Sequence, residues 1–173
     1  MNHINVEIKA RCSTQKQENI KDILKSKNAD FKGTDHQIDT YFKVKSGRLK
    51  LREGNIENHL IYYEREEKKG PKQSDVILFR SDPASSLKEI LTKSLEILVI
   101  VDKTRDIYFI DNVKFHIDTV KSLGTFIEIE AIDKYRNMGK DKLLQQCNFY
   151  IGLFDISKDD LLPVSYSDIL LNS

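Results

Sequence analysis

Hydrophobic and polar residues alternate along much of the chain, and a period of two predicts strands. From Ile4 to Cys12, Val6, Ile8, Ala10 and Cys12 share one face, while Asn5, Glu7, Lys9 and Arg11 share the other. Thr14 to about Lys27 carries Ile20, Ile23 and Leu24 at helical spacing, with Thr14 and Gln17 resembling a capping box, and Gly33 ends the connection that follows. Gln37–Val44 and Arg48–Glu53 are expected to pair as a hairpin across Lys45-Ser46-Gly47. Leu60–Glu67 is a further strand, broken by Lys68-Lys69-Gly70-Pro71, and Asp75–Ser81 another. A second helix is expected from about Ser86, with Glu89 completing a capping box, to Leu95. Ile97–Ile107, Tyr108–Val120 (broken at Asp111-Asn112) and Thr125–Ile132 complete the strands. Lys140–Gly152 is helical, followed by short turns around Lys158–Leu162 and Ser165–Leu171. The prediction is an α+β domain over residues 1–173: a large antiparallel sheet or barrel with helices outside it.

The polar faces of these strands are strongly charged, and this changes the picture. Arg48, Lys50 and Arg52 alternate with Leu49 and Leu51; Glu128 and Glu130 alternate with Ile127 and Ile129. Glu7 and Lys9 follow the same rule, His116 and Asp118 share a parity, and Lys103 and Arg105 share another. If amphipathic helices cover the apolar faces from outside, the charges point inward. A barrel of about eight strands holds side chains or one small ligand. Clustered cations there match phosphate oxygens, and clustered carboxylates match Mg²⁺ or Mn²⁺. A solvated sheet also alternates Lys with Glu, so periodicity alone supports both arrangements about equally.

Composition narrows the function classes. Lys+Arg is 28 and Asp+Glu is 27, giving a net charge of +1, which excludes nucleic-acid or acidic-membrane binding driven by bulk charge. Two Cys build no disulfide framework, and no CxxC spacing is present. MNHINVEIKAR lacks an apolar signal region, and no apolar run approaches the ~20 residues of a membrane helix, so a soluble cytoplasmic protein is the default expectation.

The ordered motifs resemble the CYTH domain, or triphosphate tunnel metalloenzyme superfamily, and within it the class IV adenylyl cyclase-like branch. Asn5-Val6-Glu7-Ile8-Lys9 matches an ExExK strand with its first Glu replaced by Asn. Asp39-Thr40-Tyr41-Phe42 and Gly47-Arg48-Leu49-Lys50-Leu51-Arg52 match the next elements, followed by Leu60–Arg65, Gly70–Asp75 and Val101–Arg105. The most specific stretch is Asp118-Thr119-Val120 with Leu123-Gly124-Thr125-Phe126-Ile127-Glu128-Ile129-Glu130. Ser165–Leu170 resembles the C-terminal SYxDLL element of the cyclase-like branch.

The resemblance implies an eight-stranded antiparallel tunnel. It implies Glu7, Asp118, Glu128 and Glu130 as ligands of Mg²⁺ or Mn²⁺. Lys9, Lys50, Arg52, Arg65, Lys72, Lys103 and Arg105 become the cradle of a nucleoside triphosphate or polyphosphate, with Lys9, Arg52, Glu128 and Glu130 carrying catalysis. His116 is expected as a strand-end hydrogen-bonding group, Tyr41 and Phe42 as packing residues, Cys12 and Cys147 as core, and Tyr166 as the anchor of the C-terminal turn. Asn5 removes a negative charge and should weaken metal binding. Three readings follow: conversion of ATP to cyclic AMP and pyrophosphate, hydrolysis of an organic or inorganic tripolyphosphate, or binding without turnover. Cyclase-like relatives are often dimers; by that analogy alone a homodimer is one candidate state, and the sequence leaves the oligomeric state open.

Overall fold

A computed structural model describes residues 2–65 and 70–173. The chain forms β1 (Asn2–Arg11), α1 (Thr14–Ser26), β2 (Asp30–Phe42), β3 (Arg48–Gly54), β4 (His59–Arg65), β5 (Lys72–Arg80) and α2 (Leu87–Ser94). Then follow β6 (Ile97–Ile110), β7 (Val113–Val120), β8 (Gly124–Asp133), α3 (Lys140–Leu153), a 3₁₀ turn at Lys158–Asp160 and α4 (Tyr166–Leu171). The eight strands close into one antiparallel barrel in the order β1-β5-β4-β3-β2-β6-β7-β8. Closure leaves every strand with two neighbours and no open edge.

Strand parity sorts the side chains as the sequence requires. Val6, Ile8, Ala10, Phe115, Ile117, Ile127 and Ile129 lie on the outer face of β1, β7 and β8, where α1 and α3 cover them. Ile20 and Leu24 of α1 and Leu143, Cys147, Tyr150 and Phe154 at α3 complete this core. Phe115 meets Tyr150 and Phe154 edge-on, with ring centroids 4.7 and 5.7 Å away. Cover is unequal around the barrel. α2 buries none of its residues, and Ile77 and Phe79 of β5 are exposed.

A second apolar cluster lies inside one end of the barrel. Tyr41, Val101, Val120 and Phe126 share the parity of Asp39, Lys103, Asp118 and Glu128, and Tyr166 of α4 packs among them. Ser165 caps α4 with a reciprocal capping box to Asp168. The C-terminal segment therefore stoppers this end, held also by a bridge between Ala10 and Leu161.

Several expected boundaries shift for identifiable reasons. β2 begins at Asp30, seven residues before the expected start, because it crosses Gly33 through a bulge at φ +122° and keeps pairing with β6. Tyr108–Ile110 belong to β6, because Asp111-Asn112 is the turn joining β6 to β7. Ser13, not Thr14, caps α1, its Oγ accepting from the Lys16 amide at 3.1 Å. Gln17 turns inward instead and donates to the carbonyls of Asp118 and Phe126. Ser86 makes no side-chain cap bond. The expected ending of the fourth strand at Glu66-Glu67 and the Lys68-Lys69 part of its breaker lie outside the described residues.

Phe115→Ala should destabilise the fold by about 3–5 kcal/mol, the usual cost of emptying an aromatic core position. Urea unfolding would measure it as a fall in midpoint at unchanged slope.

Candidate active site

Inward positions of seven of the eight strands, all but β2, line one cavity of about 130 Å³. Glu7, Lys50, Arg52, Arg105, Glu128 and Glu130 all line it. The register explains the convergence. Glu7 faces Glu130 and Lys9 faces Glu128 across β1 and β8; His116 faces Glu128 and Lys114 faces Glu130 across β7 and β8.

Two buried carboxylates organise the cations. Asp39 receives Arg52 through two parallel bonds of 2.8 and 2.9 Å, Lys50 at 2.9 Å and Lys103 at 2.7 Å. Burial alone would raise the Asp39 carboxyl, but Arg52, Lys103 and Lys50 outweigh it and hold it well below the usual range. Asp118 receives Arg105 at 2.7 and 2.6 Å, and its Oδ2 also accepts from the Tyr166 hydroxyl at 2.7 Å. Arg105 reaches on to Glu128 at 2.9 Å, where Lys9 arrives at 3.3 Å. Burial works against the Glu128 anion, and Lys9 and Arg105 more than offset it, so that carboxyl too is held well below its ordinary value.

Lys9, Arg65 and Lys72 stand toward the stoppered end. Lys9 Nζ lies 4.0 Å from the centre of the Tyr166 ring. Arg65 pairs with Glu7 at 3.2 Å and approaches Asp168 at 3.6 Å. Lys72 donates to the carbonyls of Pro163 and Leu162 at 2.9 and 3.3 Å, and burial, then the charge of Arg65, pushes it down to about 8. The tail thus occupies part of the expected cradle. Arg48 of β3 is paired with Asp168 of the same tail at 2.6 Å.

Glu7 and Glu130, which face each other across β1 and β8, are the carboxylates that would hold a metal ion. Burial raises the Glu130 carboxyl, and the charges of Glu7 and Glu128 raise it further against the pull of Lys114. Asn5 donates its side-chain amide to Glu130. Among the described residues no three His, Cys, Asp or Glu side chains form a ready metal cluster. The donor set still fits a hard divalent cation: oxygen ligands on facing strands whose mutual repulsion such an ion would relieve. Asp118 fits less well, because Arg105 and Tyr166 already use both its oxygens.

His116 differs from its expected position. It lies mid-strand in β7, fully buried, 3.5 Å from Glu128, and neither ring nitrogen makes a hydrogen bond. Burial, then the charges of Arg105 and Lys114, pushes it down to about 3, so it is neutral. Four contributors escaped sequence reasoning as site residues: Asp35, Asp39, Glu57 and Lys114. Parity could have found three of them, since Asp35 and Asp39 share a face of β2 and Lys114 shares the face of His116 and Asp118. Glu57 lies in the β3–β4 loop, where no periodicity applies.

The CYTH domain family model matches residues 3–160. The chain belongs to the CYTH domain family. It is 26% identical over 133 residues to a putative adenylate cyclase of Methanocaldococcus jannaschii, covering 76% of this chain and 75% of that protein. Among solved structures, the PH1012 protein of Pyrococcus horikoshii superposes with a TM-score of 0.74 at 22% identity, over 95% of this chain and 98% of that one. HpAC1 from Hippeastrum, described as a putative adenylyl cyclase with a dominant triphosphatase activity, superposes with a TM-score of 0.65 at 12% identity, over 98% and 95%. The fold of this CYTH chain is that of a tunnel with its charges inside.

Stability should depend on pH in two windows. A carboxyl lowered in the fold stabilises above its unfolded pKa, and that contribution is lost as pH falls toward the folded value. Asp39 and Glu128 therefore predict steep loss of stability below about pH 4. His116, neutral when folded, takes a proton more readily unfolded, so stability also falls from about pH 6.5 downward, by up to ~1.4 kcal/mol per pH unit. Urea titrations from pH 8 to 3 check both; His116→Gln should reduce the slope from about pH 6.5 down to 3, to which His3 and His59 also contribute, and Asp39→Asn should reduce the additional loss below about pH 4.

Proposed function

We propose that this CYTH protein performs metal-dependent phosphoryl chemistry on a triphosphate-bearing substrate held in the tunnel, of the class IV adenylyl cyclase type. The observation that carries the reading is the convergence of Lys50, Arg52 and Arg105 with Glu7, Glu128 and Glu130 on one cavity. Lys9, Lys50, Arg52, Lys103 and Arg105 neutralise phosphate oxygens, Arg as a fork and Lys as a point charge. Arg65 and Lys72 stand at the stoppered end, engaged by Glu7, Asp168 and the carbonyls of Leu162 and Pro163, and would complete the cradle there. Glu7 and Glu130, with Glu128, would hold Mg²⁺ or Mn²⁺, and Asp118 acts by positioning Arg105. A bound metal supplies charge neutralisation at the phosphoryl oxygens and orientation of the leaving group.

The cations are already aimed before substrate arrives, because Asp39 and Asp118 hold them. Such preorganised charge is the main resource for phosphoryl transfer, which needs positioning and electrostatics and no covalent nucleophile. In the cyclase reaction the ribose 3′-hydroxyl attacks the α-phosphorus of ATP and pyrophosphate leaves. A second reading, attack of water on a terminal phosphorus to release orthophosphate, is favoured by the likeness to HpAC1, whose description names a dominant triphosphatase activity. Both use the same cations and carboxylates.

Incubation with ATP, other nucleoside triphosphates, thiamine triphosphate and tripolyphosphate, each with Mg²⁺ and Mn²⁺, separates the readings by product. Cyclic AMP with pyrophosphate marks the cyclase and orthophosphate the triphosphatase. Glu128→Ala and Glu130→Ala should each abolish metal-dependent turnover, and Arg105→Ala should lower it by about 10²–10³-fold, the scale of removing one preorganised charge donor. Full turnover in both glutamate variants would remove the assignment.

A further inference from the structure

Three neighbouring strands build the acidic side of the cavity. On β8, Glu128 and Glu130 are successive inward positions. Glu7 of β1 stands opposite Glu130, and His116 of β7 stands opposite Glu128. Directly opposed residues of an antiparallel pair bring their Cβ atoms within about 5.5 Å, and the diagonal neighbour lies about 7–8 Å away. Register therefore sets His116 beside Glu128 and diagonal to Glu130, in the cavity that all four line. The proposed phosphoryl chemistry uses the three carboxylates and leaves the imidazole without a task.

That imidazole is 2% exposed, and neither of its nitrogens has a hydrogen-bond partner. A buried polar group in this state needs a ligand or water. Nδ1 lies 3.5 Å from Glu128 Oε2. The carboxylate favours the tautomer with its proton on Nδ1, which leaves the lone pair of Nε2 free. Asn5 adds a second electron-pair donor to the same cavity: its amide nitrogen is spent on Glu130, and its Oδ1 is buried with no donor. A phosphate oxygen satisfies neither a lone pair nor a carbonyl oxygen, whereas a cation satisfies both. The neighbouring cationic side chains are already committed, Arg105 to Asp118 and Glu128, Lys9 to Glu128 and Lys114 to Glu57.

We propose that His116 gives the tunnel's metal ion a nitrogen ligand through Nε2, beside the carboxylates of Glu7, Glu128 and Glu130, and that the site therefore takes a first-row transition ion such as Mn²⁺ in preference to Mg²⁺. This rests on the function proposed above and narrows which ion serves it. Mg²⁺ keeps to oxygen ligands and water, while an imidazole nitrogen favours transition ions. A metal-bound histidine commonly turns its other ring N–H to a carboxylate, the relation in which Nδ1 already stands to Glu128. Lys9, Arg105 and His116 all meet Glu128 at Oε2, which leaves Oε1 for the ion. Among the described residues the four side chains are not yet gathered, so an ion would draw Glu7 and Glu130 toward His116 by side-chain rotation. The imidazole adds a ligand without adding charge, so it does not deepen the repulsion among the carboxylates.

The test is pulsed EPR of Mn²⁺ bound to the whole protein, alone and with bis(methylene)triphosphate, which carries no nitrogen and resists hydrolysis. The bound Mn²⁺ should show spin-echo modulation from a directly bonded ¹⁴N. His116→Gln should abolish it, and the His3→Gln/His59→Gln double variant, which removes the other two histidines lining the cavity, should retain it. His116→Gln should also weaken Mn²⁺ binding about tenfold or more while changing Mg²⁺ binding less than about threefold. Should His116→Gln fail to fold, ¹⁵N-labelled histidine in the wild type and in the double variant decides instead, since the label must replace the ¹⁴N modulation in both. Mn²⁺ that binds without nitrogen coupling, coupling that survives in His116→Gln, or coupling lost in the double variant overturns the inference and leaves the proposed function standing. Absence of any protein-bound Mn²⁺ or Mg²⁺, with and without the triphosphate, overturns both.

Discussion

An ion inside a closed barrel cannot turn to bulk water, so each one must find its opposite within the wall. This constraint shapes the tunnel. Asp39 collects three cations from β3 and β6, Asp118 takes Arg105, and Glu128 joins Lys9 to Arg105 across the interior. Removing one partner from such a group leaves an uncompensated buried charge, which costs several kcal/mol. The network is weak evidence for stability in itself, since hydrophobic replacements can pack as well. Its value lies in orientation: a polyanion arriving among these cations finds their side chains already pointed.

Much of this was legible from the alternation of residue types. Glu7, Lys9, Lys50, Arg52, Lys103, Arg105, Glu128 and Glu130 all fall on inward positions, because period two leaves no freedom once the opposite face is aliphatic. The outer core followed for the same reason, with Ile20 and Leu24 of α1 set on the aliphatic face of β1 and β8. What stayed hidden depended on partners distant in sequence. Asp39 appeared only as part of a motif, and its role emerges from three cations 11, 13 and 64 residues away. Lys72 has inward parity, but its bond to Pro163 spans 91 residues. Loop residues such as Glu57 carry no periodic signal at all.

The two ends of the barrel differ because the chain's own tail enters one of them. Tyr166 places its hydroxyl on Asp118 and its ring beneath Lys9, while Asp168 draws in Arg48 and Arg65. The tail thus offers an acidic and aromatic partner to cations that a phosphate chain would also seek. At the other end a loop carboxylate, Glu57, plays the same part for Lys114 and Arg52. At mid-tunnel the cavity is lined by Arg105 and Lys50, each held by a buried aspartate, and by the facing pair Glu7–Glu130.

Asn5 changes the balance at that midpoint. A third carboxylate beside Glu7 and Glu130 would deepen a repulsion that already raises Glu130. The amide instead donates to Glu130 and tempers it, at the cost of one charge available to a divalent ion. Repulsion among carboxylates is what makes an oxygen cage attractive to a metal, so a quieter cage binds the ion less tightly but demands less of it for folding. Under the proposed function, the cation side chains would then carry a larger share of the phosphate charge than a cage with a third carboxylate would require. The weight of transition-state stabilisation would fall on Arg52 and Arg105, the two forks that Asp39 and Asp118 hold.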